Sequence, residues 1–258
     1  MRGVTRRLRI QNGGKLRHDR PMTRRFVTAA LLLPLALASA VQAAPQRKRP
    51  SAPPPKPATA KPAPKPAPIG DTVRVALTTE LGVITLELDH KRAPITTANF
   101  VAYVDQKRFD GTAFYRALRL PWGDAPNGLI QGGTANDPQR ILKPIAHEPT
   151  TQTGLSHTTW AISMARYEPG TATGDFSIMV GDQRALDADP KASGDNLGYA
   201  AFGRVVGGQD VVLKIHSAAT DPTRGEGAMK GQIIAAPVKI ISARRVADPV
   251  AAPAPPQP

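Results

Sequence analysis

The sequence predicts a mainly β domain, a barrel or a sandwich, carrying two helices. Residues 72–89, TVRVALTTELGVITLELD, alternate apolar and polar positions with a break at Glu80–Gly82, the period-two pattern of a hairpin with one buried face. From Gly111 to Arg204 the chain falls into short apolar runs (TAFYRAL, GLIQGG, TWAISMA, DFSIMV, GYAAFGRV) separated by Gly, Pro and Asp, the punctuation of many short strands. Only two stretches have helical spacing.

The elements follow in order. Val73, Val75 and Leu77, then Ile84, Leu86 and Leu88, form the inward faces of the hairpin. In APITTANFVAYVDQKRFDG, Pro94 suits the first turn of a helix, and Ile95, Phe100 or Val101, and Val104 are its expected buried stripe as far as Gly111. GGQDVVLKIHSA offers Val212 and Ile215 on one face of a second helix. QIIAAPVKIISARRV reads as a closing strand, in which Pro237 marks a bulge or an edge.

The flanks differ in kind. Residues 22–43, MTRRFVTAALLLPLALASAVQA, have two arginines, a short apolar core and small residues before Ala43, the signature of a cleaved secretory leader rather than of a membrane anchor, whose span needs ~20 apolar residues. Because Met22 begins that leader by itself, residues 1–21 are expected to lie upstream of the true start. Residues 44–70 are a Pro/Ala/Lys-rich linker and 247–258 a Pro/Ala-rich tail, neither with side chains enough for a core. The expected globular domain is 71–246. An exported protein of the periplasm follows, with no stable membrane insertion after cleavage.

The net charge of +14 points first to nucleic acid, yet it is confined to the flanks: residues 1–43 carry nine Lys/Arg against one Asp/Glu, 44–68 six against none, and 69–258 nineteen against nineteen. A neutral domain lacks the excess that neutralises phosphates, so no nucleic acid is expected. The absence of cysteine removes disulfides and thiol chemistry, and no two of the five histidines stand at ligand spacing, so no metal is expected.

Phe114-Tyr115-Arg116, Gln131-Gly132-Gly133, Ser163-Met164-Ala165 and Phe202-Gly203-Arg204-Val205, with Asn99-Phe100 in the first helix, together resemble the cyclophilin family of peptidyl-prolyl cis-trans isomerases over about residues 72–246. Tyr199 in GYAAFGRV resembles the exported bacterial branch. The resemblance implies a closed eight-stranded antiparallel barrel capped by two helices, no cofactor, and proline-containing unfolded or exported polypeptides as partners of a monomer. It also places Arg116 as the catalytic residue, with Tyr115, Leu129, Gln131, Met164, Ala165, Arg166, Asp175, Ser177 and Tyr199 as substrate-binding residues.

The residue types suit that reaction. Rotation about an Xaa-Pro bond loses amide resonance, and uncatalysed exchange takes roughly tens to hundreds of seconds. No bond is made or broken, so the useful group is a fixed donor beside an apolar pocket for the ring. A guanidinium stays protonated and presents a rigid fork of donors.

Three departures from the family stand out. Arg116 and Gln131 are fifteen positions apart, where the family usually has about eight, so LRLPWGDAPN carries an insertion that includes Trp122. Gly128 and Ser177 replace phenylalanines of the pocket, and Asp175 replaces a glutamine; its carboxylate is expected to pair with Arg116 or Arg166 or to favour basic substrates. Arg166, Tyr167 and the enlarged LDADPKASGDNLG loop alter the rim. The function expected is isomerisation of Xaa-Pro bonds during folding of exported proteins; the alternative is a catalytically weak chaperone or peptide-binding module of the cell envelope.

Overall fold

The structure, a computed structural model, describes residues 68–247, so the leader, most of the linker and nearly all of the tail lie outside the described residues. The predicted hairpin is β1 (Thr72–Thr79) and β2 (Gly82–Asp89), in register from Thr72 opposite Asp89 to Thr79 opposite Gly82. The first helix, α1 (Pro94–Asp105), stops well short of Gly111. The short runs become β3 (Thr112–Arg119), β4 (Gly128–Gly133), β5 (Ala161–Met164), β6 (Asp175–Val180) and β7 (Ala200–Gly207). A single helical turn, α2 (Thr150–Thr153), precedes β5; α3 (Gln209–His216), the two-residue β8 (Thr220–Asp221) and the long β9 (Ile233–Val246) complete the order.

These strands form one antiparallel sheet in the order β1-β2-β7-β5-β6-β4-β3-β9-β8, and β1 also pairs with β9. Eight strands therefore close into a barrel, with β8 attached to β9 outside the ring. Pro237 lies where β9 bulges: Val238 is opposite Phe114 and Ile233 opposite Arg116, so β9 carries extra residues between them.

The barrel is filled by aromatic rings. Phe100 and Phe109 have centroids 4.9 Å apart, Phe176 meets Phe100 edge-on at 5.2 Å, and Phe114 meets Phe176 edge-on at 5.7 Å. Such pairs add to the burial of their own area. Helix α3 contributes Val212 and Ile215, as its spacing predicts.

In α1 the expected stripe needs one correction: Ile95 is exposed, while Thr96, Thr97, Phe100, Val101, Tyr103 and Val104 are buried. The start of the helix is capped by a carboxylate from a distant loop. Pro94 occupies the first helical position and has no N–H to satisfy, and Ala93 offers no side-chain cap. The next two amides donate to Glu148: Ile95 N–H at 3.1 Å and Thr96 N–H at 2.7 Å, with the Thr96 hydroxyl at 2.6 Å. Glu148 is 1% exposed and supplies the anion that a helix N-terminus favours. Removing it leaves three donors unsatisfied, the two on Thr96 buried and costly to strand. Glu148→Ala should therefore lower stability by about 3 kcal/mol in chemical denaturation, and Glu148→Gln, which keeps one acceptor oxygen, by less.

Candidate active site

Inside the barrel there is room only for its own side chains, so the site lies on the outer wall. In β6, Phe176, Ile178 and Val180 enter the core, leaving Asp175, Ser177 and Met179 on the opposite face. Likewise Ile130 of β4 and Ile162 of β5 point inward, leaving Leu129, Gln131 and Ser163 outside. Strand β3 adds one irregularity. Phe114 is opposite Gly132 and Arg116 opposite Gln131, so Tyr115 is an extra residue. This bulge sends two successive side chains, Tyr115 and Arg116, to the same outer wall.

These strands floor a cavity of about 490 Å³, which all ten residues selected from the sequence line: Arg116, Tyr115, Leu129, Gln131, Met164, Ala165, Arg166, Asp175, Ser177 and Tyr199. Arg116 is held at two nitrogens. Its Nη1 donates to Gln131 Oε1 and its Nε to Gln232 Oε1, each at 2.8 Å. No protein acceptor takes Nη2 among the described residues. Burial lowers the guanidinium's pKa from its ordinary value, yet a group that starts so high remains a cation. Gln131 Nε2 donates to the Tyr115 hydroxyl at 2.9 Å.

The insertion leaves this arrangement intact. It forms a loop closed by Leu120 N–H donating to the Asn127 carbonyl at 2.9 Å, beyond the paired ends of β3 and β4. Trp122 is 65% exposed on that loop and does not line the cavity. Gly128 is fixed by backbone geometry: its φ is +141°, and a Cβ there would lie 1.9 Å from the Leu118 carbonyl oxygen. A side chain at this position is excluded. Leu118, Leu129, Met179 and Leu186 form an aliphatic wall instead.

Asp175 pairs with neither Arg116 nor Arg166, contrary to expectation. Its carboxylate accepts the backbone N–H groups of Ala135 at 2.7 Å and Asn136 at 3.1 Å. The residue is 5% exposed, and its observed partners are these backbone amides rather than an arginine. Arg166 is likewise occupied: Nη2 meets Asp195 at 2.6 Å, Nε donates to the Gly198 carbonyl at 3.0 Å, and the guanidinium lies 4.9 Å from the Tyr199 ring centroid. It ties the enlarged loop to the rim. Tyr167, 76% exposed, stands at the same rim.

Two residues of the site, Met179 and Gln232, were not singled out from the sequence. Met179 shares the face of Asp175 and Ser177, so period-two counting already contained it. Gln232 contacts Arg116 across 116 residues and left no local signal. Leu186 is placed by a buried network: Asp187 accepts His157 Nδ1–H at 2.6 Å, the His157 backbone N–H at 2.9 Å and the Ser156 hydroxyl. The other His157 nitrogen, Nε2, accepts the Ser163 hydroxyl at 2.8 Å.

Comparison with known proteins agrees with this geometry. The sequence pattern of the family described as cyclophilin type peptidyl-prolyl cis-trans isomerase/CLD matches residues 74–244. A peptidyl-prolyl cis-trans isomerase of Acinetobacter baylyi is 39% identical over 172 residues, which cover 65% of this chain and 82% of that protein. Peptidyl-prolyl cis-trans isomerase B of Escherichia coli is 34% identical over 154 residues, 57% of this chain and 85% of the other. The crystal structure of a Cryptosporidium parvum cyclophilin type isomerase shares the fold with a TM-score of 0.55 at 18% identity, covering 69% of this chain and 99% of that one.

The His157 network carries a pH dependence. Burial outweighs the neighbouring carboxylate and holds His157 below its ordinary pKa of 6.5; burial likewise lowers His216. Unfolding lets both take up protons that the fold refuses, so their contribution to stability is present above about pH 6.5 and lost as pH falls toward the folded values. Burial opposes ionisation of Asp187, but hydrogen bonds from Ser156 and His157 bring its pKa below the ordinary carboxylate value. Its contribution is lost in the same direction, at lower pH. Thermal melts should show stability declining from about pH 7 to 5, with a shallower slope in His157→Asn.

Arg116, clamped at the mouth of an apolar outer-wall cavity, and the match to the family pattern over nearly the whole described chain lead to one assignment: the protein belongs to the cyclophilin type peptidyl-prolyl cis-trans isomerases.

Proposed function

We propose that the protein accelerates rotation about Xaa-Pro bonds of exported polypeptides as they fold in the periplasm. The observation that carries the catalytic part is Arg116, fixed at Nε and Nη1 by two amide oxygens and open at Nη2 beside the cavity. A prolyl ring seated against Leu129, Met164 and Met179 would bring its amide to that donor. As the amide twists, charge shifts between nitrogen and carbonyl, and a donor already oriented stabilises the twisted state without reorganising. A relative's solved structure was determined in the presence of the dipeptide Ala-Pro, which supports a proline-containing peptide as the occupant. The exported setting rests on residues 22–43, whose basic start, apolar core and small residues before Ala43 fit a cleaved leader.

The expected mechanism needs no cofactor, because no electron or group is transferred. Arg116→Ala should lower kcat/KM for a blocked Ala-Pro peptide by about a hundredfold while leaving the melting temperature nearly unchanged. The assay is best run near 10 °C, where the spontaneous reaction takes minutes. Full activity in the variant would remove Arg116 from the mechanism, and an inactive but folded parent that still binds unfolded chains would favour a holding chaperone. In fractionated cells the mature protein should be periplasmic and begin at Ala44; an unprocessed cytoplasmic chain would overturn the exported setting.

A further inference from the structure

The floor of the cavity carries two hydroxyls side by side. Ser163 of β5 and Ser177 of β6 stand directly opposite each other in their antiparallel pairing, and both line the cavity on the outer face of the barrel. Partners so placed have Cα atoms about 4.5–5.5 Å apart, which brings both hydroxyls within reach of one small group. The side chains of Leu129, Met164, Met179 and Leu186 line the same cavity and make its apolar part.

The two hydroxyls differ in what they have left to offer. The Asp187 carboxylate takes the Nδ1–H of His157 at 2.6 Å, and burial keeps the imidazole below its ordinary pKa and so neutral at neutral pH. Nε2 then bears a lone pair, and the Ser163 hydroxyl donates to it at 2.8 Å. Having spent its one proton, Ser163 presents to the cavity an oxygen that only accepts. The Ser177 hydroxyl has no hydrogen-bond partner among the described residues. Of the described side-chain polar atoms, Thr134 Oγ1 alone is both sealed from solvent and unpartnered. The Ser177 hydroxyl is therefore open to the cavity and free to donate.

An acceptor beside a donor is the complement of a primary carboxamide, whose NH2 and carbonyl project from the same end of one planar unit. The NH2 donates to Ser163 Oγ while the carbonyl accepts from Ser177. Other groups match less well. A carboxylate sets a lone pair against the Ser163 oxygen. An ammonium enters an aliphatic pocket in which Asp175, the only carboxylate among the described lining residues, is already held by the Ala135 and Asn136 amides, and an unpaired buried cation is costly. A trans peptide group points its N–H and C=O in opposite directions, and an Xaa-Pro amide has no N–H at all. Gln131 does not fill the role, because its carbonyl is held by Arg116 and its NH2 donates to Tyr115.

We propose that Ser163 and Ser177 form a two-point recognition site for a side-chain carboxamide, so that the cavity favours chains with glutamine or asparagine beside the proline. His157 and Asp187 act behind it by fixing which way the Ser163 hydroxyl points.

The proline half of the inference rests on the isomerase reading; the carboxamide half does not, and binding and turnover separate them. The probes are blocked peptides with Gln, its near-isostere Met, Glu or Lys next to a single proline, before it in one series and after it in the other. Affinity is read from NMR shifts of the Ser163 and Ser177 backbone amides in the full chain, and turnover from exchange of the same peptides. In one series or both, Gln should bind about tenfold more tightly than Met, the effect of two added hydrogen bonds, with Glu and Lys weaker than Gln. In turnover the advantage should lie in KM rather than kcat, because these contacts are made equally in the planar and twisted states. Ser177→Ala should bring the Gln-over-Met ratio close to one, and Ser177→Thr, which keeps the hydroxyl, should retain the preference. Equal affinity for Gln and Met in both series, or a preference that survives Ser177→Ala, overturns the proposal. Turnover without a Gln preference overturns the carboxamide site alone and leaves the isomerase reading standing. A Gln preference in binding by a protein that turns over none of the peptides upholds the carboxamide site and overturns the isomerase reading.

Discussion

Closure of the sheet by the β1–β9 pairing governs everything else in this protein. An eight-stranded ring is just wide enough for side chains to fill, and here Phe100, Phe114, Phe176 and Phe202 fill it. Once the interior is committed to packing, a ligand has access only to the outer wall. That wall must then satisfy two demands: strands β4, β5 and β6 are buried on both faces, yet one face carries the polar groups of the site. The loops that cover the wall supply the missing partners. Asp187 and His157 hold the segment bearing Leu186, and Arg166 with Asp195 holds the segment bearing Tyr199.

Three carboxylates, at the start of α1 and around the site, are handled in one way. Glu148 caps α1, Asp175 gathers two backbone amides, and Asp187 gathers an amide, an imidazole and a hydroxyl. In each case N–H and O–H dipoles, rather than a cation, compensate the carboxylate. Burial of an ion is tolerable only when its lone pairs are met. Such arrangements contribute little net stability but fix geometry, because each acceptor oxygen specifies where its donors must lie. That is the currency a site for bond rotation needs, since its whole chemistry is the orientation of one donor.

Much of this was legible in the sequence where the signal was local. The β1–β2 hairpin, the two helices and the closing strand follow from periodicity, and the bulge at Pro237 from a missing N–H. Four short motifs in order carried the family resemblance, and the ten residues that it singled out all line the cavity. What was illegible depends on distance along the chain. The cap on the Ile95 amide comes from 53 residues away, and the hold on Arg116 from Gln232 at the far end of the domain. Asp175 was misjudged for the same reason: proximity to arginines in the sequence pattern suggested ion pairs, whereas the 134–136 backbone already satisfies it.

The departures from the family pattern are coupled through backbone geometry. The loop inserted between β3 and β4 brings its return at Gly128 so close to Leu118 that no Cβ fits, which eliminates a ring there regardless of selection on the pocket. With Ser177 opposite Gln131 and alongside Ser163, the wall loses a second ring and gains hydroxyls. The apolar surface is restored one position outward, by Leu118, Leu129, Met179 and Leu186. Flexible aliphatic and thioether side chains replace rigid planes, so the pocket adapts its shape more readily but orients a ring less strongly. Orientation must then come from the polar side of the cavity, and that is where this chain places an additional buried carboxylate.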